Sequence, residues 1–171
     1  APRVYQLARK YDLLTLGLDT DSNLRDPDAH PEQFKDSPLG RIPRGWEVMN
    51  LEAIAADEPH AIVDGPFGSN LKSEHYRKQG VPVIQSGYVT SGSFVAKSYY
   101  YVDESLYFDQ IRSSVRPGDI VMAKIGAYSG ASAILPLEHP VSILASNCLK
   151  ISTDAEICNI GYLLRVLHYY N

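Results

Sequence analysis

The chain has 171 residues, 44% of them hydrophobic and 21% charged, which are the proportions of one ordinary globular domain with an added tail or linker. Such a composition excludes a disordered tail or a fibre and provides enough apolar side chains for a real core. Lys and Arg number 16 against 20 Asp and Glu, a formal net charge of −4, so no bulk basic charge announces a nucleic-acid partner and no strong acidity excludes one.

Residues 1–18 read as the tail of a helix. Val4, Leu7, Tyr11, Leu14 and Leu18 recur at spacings of three and four and form one apolar stripe. The stripe has no clear start cap, as expected of a fragment of a longer helix. Residues 19–44 change character: five Asp and four Pro with Gly40 punctuate a polar stretch that reads as a linker or a surface-hugging extended arm. Acids and bases balance at seven each through residue 45. The charge of −4 therefore resides in residues 46–171, with 9 bases against 13 acids.

A compact domain is expected from Gly45. Trp46-Glu47-Val48 alternates as a strand, and Asn50 to Ala56 predicts a short helix capped by Asn50. Strands are predicted at Val81–Ile84, at Ser98–Val102, at Asp119–Ile125 after the Pro117-Gly118 turn, at Ala131–Leu135 and at Cys148–Ile151. Ile160–Leu167 has helical spacing and closes the domain. The expected class is α+β, a strand-dominated domain with a twisted sheet and a few helices, without regular βαβ alternation or an internal repeat.

Several chemistries can be tested against the residues. Gly65-Pro66-Phe67-Gly68-Ser69-Asn70-Leu71-Lys72-Ser73 lacks the Gly before Lys that a phosphate loop needs. Asp64-Gly65-Pro66-Phe67 shadows an amino-methyltransferase tetrad, but Gly65 replaces its first Pro and no Gly-rich cofactor loop accompanies it. Ser129 has no Gly two residues before it, so it is not a nucleophile elbow. The five His lie outside any Ser or Cys frame, and Cys148 and Cys158 lack a second pair of soft ligands at zinc spacing. The cysteines read as buried intracellular thiols. No catalytic residue and no metal ligand is assigned. Without an apolar run of about 18 residues or a signal-peptide core, a cytoplasmic protein away from membranes is expected.

Three stretches carry a family resemblance. The first is Phe34-Lys35-Asp36-Ser37-Pro38-Leu39-Gly40-Arg41-Ile42-Pro43-Arg44-Gly45-Trp46-Glu47-Val48. The second is Asp64 to Tyr76, followed by Gly80-Val81-Pro82-Val83-Ile84. The third is Arg116-Pro117-Gly118-Asp119-Ile120-Val121, then Gly126 and Gly130, with Ser146-Asn147-Cys148-Leu149-Lys150-Ile151 behind. In this order, over residues 34–171, they resemble the target recognition domain of the DNA specificity subunit of type I restriction–modification systems. Tyr11-Asp12-Leu13-Leu14-Thr15 resembles the end of that family's central conserved helix.

The resemblance implies three segments: a helix end (1–18), a linker (19–44) and one target recognition domain (45–171). It implies a non-catalytic module that reads one half of a bipartite site on double-stranded DNA, in or near the major groove. The methyltransferase (modification) subunits and the restriction/translocase subunit would be its partners. S-adenosylmethionine, ATP and Mg would belong to those partners and none to this chain. Two alternatives stay open: a protein–protein interaction domain of the same fold, and the recognition half of a fused restriction–methylation enzyme.

For base reading the candidates are Ser69 and Asn70, Ser86, Tyr88, Thr90 and Ser91, and Tyr128 and Ser129, all in polar, glycine-flanked loops. Asn can pair with adenine, and hydroxyls can reach base edges. The same loops read equally as structural turns or solvated connections. Lys72, Arg77, Lys78, Arg112, Arg116 and Lys124 are the phosphate candidates; the other reading is plain solvated charge. Tyr99-Tyr100-Tyr101 would alternate across a strand, as core packing with hydroxyls at the rim. A basic cleft bordered by loops 67–73, 85–92 and 124–130 would favour DNA over the protein-binding alternative.

Overall fold

The structure, a computed structural model, describes residues 14–169. Val4, Leu7 and Tyr11 of the expected stripe lie outside the described residues, and Leu14 and Thr15 are helical. The chain divides into two compact units, one up to Ala53 and one from Ile54.

In the first unit, residues 19–44 hold more structure than a linker. Asp19 Oδ1 accepts the backbone N–H of Asp21 at 2.9 Å and of Asn23 at 2.8 Å, which closes a polar turn. Strands β1 (Phe34–Ser37) and β2 (Gly40–Pro43) then form an antiparallel hairpin in which Ser37 faces Gly40 across Pro38-Leu39. Gly40 takes φ +93°, and Ser37 Oγ donates to the Gly40 carbonyl at 2.6 Å. Phe34, Ile42 and Pro43 are the buried apolar residues of this hairpin, too short a pattern to read as a strand pair in sequence. Trp46-Glu47-Val48, predicted as a strand, is not one: Trp46 N–H donates to the Pro43 carbonyl at 2.9 Å and the Trp46 ring lies against Gly17. The predicted helix after Asn50 is a single 3-10 turn, Glu52–Ile54, with Asn50 Oδ1 accepting the Ala53 N–H at 2.8 Å.

The second unit is built on two four-stranded sheets. One has the order β3 (Ile62–Asp64), β10 (Cys148–Ile151), β7 (Ile120–Ala123), β8 (Ser132–Ile134), all antiparallel. The other runs β5 (Tyr100–Val102), β4 (Val81–Ile84), β9 (Ser142–Leu144), β6 (Ser114–Val115), with β4 and β9 parallel. The α+β class holds, with two sheets where one was expected. Helices α1 (Glu104–Asp109) and α2 (Ile160–Tyr169) complete the unit.

Alternation along β10 shows how the layers form. Cys148 points between the sheets, into a core of Ile84, Val89, Val115, Val121, Ala133, Leu135 and Leu144. Ile151 and Leu149 point the other way, onto Leu163, Leu164 and Leu167 of α2. On the far side, Leu71 with Leu106 and Tyr107 of α1 covers Val83, Val102 and Ile143 of the second sheet. Lys150 breaks the apolar pattern of β10: it is buried, 4.0 Å from the equally buried carboxylate of Asp119. Burial holds the Lys150 ammonium below the usual lysine range, and Asp119 opposes that shift.

Candidate nucleic-acid interface

Four connections meet where β3, β4, β7 and β9 end. They are residues 65–70 after β3, 85–89 after β4, 124–130 between β7 and β8, and 145–147 between β9 and β10. Asn147 ties three of them together. Its Nδ2 donates to Ser86 Oγ at 2.8 Å, its backbone carbonyl accepts the Lys124 N–H at 2.8 Å, and its Oδ1 accepts the Cys148 thiol at 3.5 Å. Burial pushes that thiol up to about 12, so it acts as a packing group and a weak donor.

The fourth connection is held by backbone contact. Gly65 N–H donates to the Cys148 carbonyl at 3.0 Å, and a Cβ on Gly65 would overlap the Ala145 carbonyl. Only glycine allows this approach. Phe67 then emerges 60% exposed, and the turn Gly68–Asn70 follows with Gly68 at φ +51°. Lys124 Nζ lies 2.9 Å from Asp64 Oδ2 and 4.7 Å from the Phe67 ring centroid, so one ammonium joins the 64–67 segment to the 124–130 loop.

The base-reading candidates divide by what their side chains already do. Among the described residues, Ser69, Asn70 and Tyr128 are exposed and make no side-chain hydrogen bond; Tyr128 is 63% exposed. Ser86 is bound to Asn147. Ser129 Oγ donates to the Lys124 carbonyl at 3.0 Å, Thr90 Oγ1 to the Gly87 carbonyl at 3.3 Å and Ser91 Oγ to the Ser93 carbonyl at 3.1 Å. Tyr88 is not at a loop tip. Its ring packs edge-on to Phe94 and Tyr99, and its hydroxyl donates to the Ser98 carbonyl at 2.8 Å. Burial, with the neighbouring tyrosines, raises that hydroxyl above the usual tyrosine range.

The six cations are not gathered into a basic cleft. Lys124 is at the cluster but neutralised by Asp64. Lys72 follows the Gly68–Asn70 turn and lies 3.7 Å from Glu74. Arg77 pairs with Asp103 at 2.9 Å on the β5 side of its sheet, and Lys78 is exposed beside it. Arg112 is exposed in the turn Ile111–Ser113, next to Ser113, whose Oγ donates to the Asp64 carbonyl at 2.8 Å. Arg116 precedes β7 whereas Lys124 follows it, which puts Arg116 at the opposite end of that strand, paired with Glu58.

The arrangement of strands has counterparts among solved structures. A chain from a type I R-M system, solved in a study of its complex assembly and conformational transition, superimposes with a TM-score of 0.56 at 18% identity over 98% of this chain. The HsdS subunit from Thermoanaerobacter tengcongensis gives 0.57 at 16% identity, again over 98% of this chain. This chain shares their fold. It spans 35% of the length of each. No family model and no curated protein matches the sequence.

Within this HsdS-like fold, the sequence marks these loops as turns but assigns no role to three of the residues that link them. Asn147, Asp64 and Phe67 lie inside the motifs that carried the resemblance, yet none was given a role. The signal for Asn147 was present: a polar residue between a buried strand and a buried cysteine must satisfy its amide somewhere. Among the described residues no helix is long and apolar enough to cross a membrane, and no three His, Cys, Asp or Glu side chains converge as metal ligands.

Proposed function

We propose that this chain is a non-catalytic DNA-reading module of a type I restriction–modification specificity subunit. The observation that carries the reading is the shared fold with an HsdS subunit over 98% of the chain. Double-stranded DNA is met at the ends of β3, β4, β7 and β9, where Ser69, Asn70 and Tyr128 stand free on a glycine-shaped backbone. Asn70 has the chemistry to bridge N6 and N7 of an adenine in the major groove. One half of a bipartite site is read in this way and presented to methyltransferase subunits, which bring S-adenosylmethionine and flip the target base. ATP and Mg serve the restriction/translocase subunit. The setting is the cytoplasm.

The sparse free cations near the loops bear on affinity. A module with few phosphate contacts binds DNA weakly, in the non-specific range of about 10⁻⁴–10⁻⁶ M, and leaves most charge neutralisation to partner chains. Methylation of a library of half-sites by the full complex, with and without this module, tests the reading. A recognised half-site that follows the module supports it, and one that ignores the module overturns it.

A further inference from the structure

At the other end of the parallel pair β4 and β9, before Val81 and before Ser142, lies a cleft of about 770 Å³ that the DNA reading does not use. Four aromatic rings line it: Phe94, Tyr99, Tyr101 and His139. They do not stack flat. Phe94 and His139 meet at 75°, Tyr99 and His139 at 58°, and Tyr99 and Tyr101 at 54°, with centroids 5.3 to 6.3 Å apart. Rings set steeply to one another wall a space on more than one side. Two exposed carboxylates, Glu104 and Glu138, border the same cleft, and none of its lining residues is a Lys or an Arg.

The hydrogen bonds keep the imidazole in one orientation. His139 Nδ1 lies 2.8 Å from the Pro140 carbonyl and Nε2 lies 3.0 Å from the Tyr99 hydroxyl. The Pro140 carbonyl can only accept, so Nδ1 donates to it, and the imidazole face is held toward the cleft. The cleft thus combines electron-rich ring faces with two carboxylates and no Lys or Arg among its lining residues. That chemistry repels phosphate and attracts an organic cation.

We infer that this cleft receives a lysine or arginine side chain from a segment of a partner protein. A protein segment fits better than a free small cation because the space far exceeds one guanidinium group. Val81, Pro82 and Val141 provide apolar wall for the methylene stem and for flanking residues. The inference is independent of the DNA reading, since it concerns the opposite ends of the strands and a ligand of opposite charge.

The test is a nuclear magnetic resonance titration of the full 171-residue chain with acetyl-Gly-Arg-Gly-amide. The uncharged isostere acetyl-Gly-citrulline-Gly-amide and free methylguanidinium serve as controls. The expected result is saturable shifts confined to residues 80–82, 94–104 and 136–141, with a Kd on the order of 1 mM. Citrulline and methylguanidinium should each bind at least about fivefold more weakly, and the exposed double variant Glu104→Gln with Glu138→Gln should weaken the Arg peptide by a similar factor, the scale of an exposed charge pair. Equal binding of the citrulline peptide, equal binding of methylguanidinium, displacement by duplex DNA, or no saturation by about 10 mM peptide would each overturn it.

Discussion

The two ends of the β4–β9 pair differ in chemistry although only about four residues, roughly 13 Å of strand, separate them. At the ends where β4 and β9 finish, glycine backbone, amides and hydroxyls converge, and the ammonium of Lys124 is balanced by Asp64. At the ends where they begin, rings and two carboxylates border a cleft lined by no Lys or Arg. The comparison accounts for a tension in the charge count. An acid excess over residues 46–171 argues against DNA binding only so far as the acids face the DNA, and two of the 13, Glu104 and Glu138, stand at the far end.

The largest effect that can break this picture lies in the backbone packing of the first end. Gly65→Ala places a methyl group against the Ala145 carbonyl, where backbone must move, and should cost more than about 3 kcal/mol in urea unfolding. Gly68→Ala meets open space and incurs only its left-handed φ, about 1 kcal/mol. If the two variants unfold alike, the close approach of residues 65 and 145 is not what holds the loops together.

Asn70→Ala sharpens the functional half of the comparison. The side chain is exposed and unpaired among the described residues, so stability should stay within about 0.5 kcal/mol. Discrimination at one base pair should fall by about 1–3 kcal/mol in methylation assays on half-site libraries. An unchanged recognised sequence would move the reading surface to another residue of the cluster.

Much of the fold was legible and much of the site was not, for a physical reason. Val81–Ile84, Cys148–Ile151 and the closing helix have runs or periods that burial imposes directly. Strands β3, β6 and β9 are two or three residues long and leave too little pattern to find. The candidate loops were legible as turns because Gly and small polar residues mark them. Which hydroxyls are free was not legible, because Ser129 and Ser69 look alike in sequence. One donates to the Lys124 carbonyl and the other points outward, a difference set by tertiary contacts. Tyr88 shows the same limit: after Gly87 in a polar stretch it reads as a residue of an open loop, yet Phe94 and Tyr99 draw its ring inward.

Asn147→Ala should cost about 1 kcal/mol, the worth of one half-buried hydrogen bond. Its double-mutant cycle with Ser86→Ala should return most of that as coupling, since Nδ2 meets Ser86 Oγ at 2.8 Å. Additive effects would show that the two loops are held apart from each other. A smaller effect is alkaline. The Tyr88 hydroxyl is raised in the folded chain, so the folded state prefers the protonated form. Its contribution to stability is complete below the ordinary tyrosine pKa of about 10 and is lost as pH rises through the raised value. Unfolding followed from pH 8 to 11 should show Tyr88→Phe less sensitive than the parent chain; equal sensitivity would place that hydroxyl in water.

The smallest effect separates the two ends by charge alone. Lys72 is exposed, 3.7 Å from Glu74, in a pair too solvated to hold the fold, so Lys72→Ala should leave urea stability unchanged. If Lys72 meets a phosphate, its loss weakens DNA binding equally for every sequence and lowers the salt slope by about one unit, because one fewer counterion is released. Glu138→Gln, at the cleft, removes a charge of opposite sign from the end away from the proposed DNA contact. It should leave both affinity and slope as they were at 0.15 M salt, where the Debye length is about 8 Å and shorter than the strands between. A Glu138→Gln change that strengthens DNA binding as much as Lys72→Ala weakens it would mean that DNA senses both ends alike, and the division of the domain into a reading end and a cation-accepting end would fall.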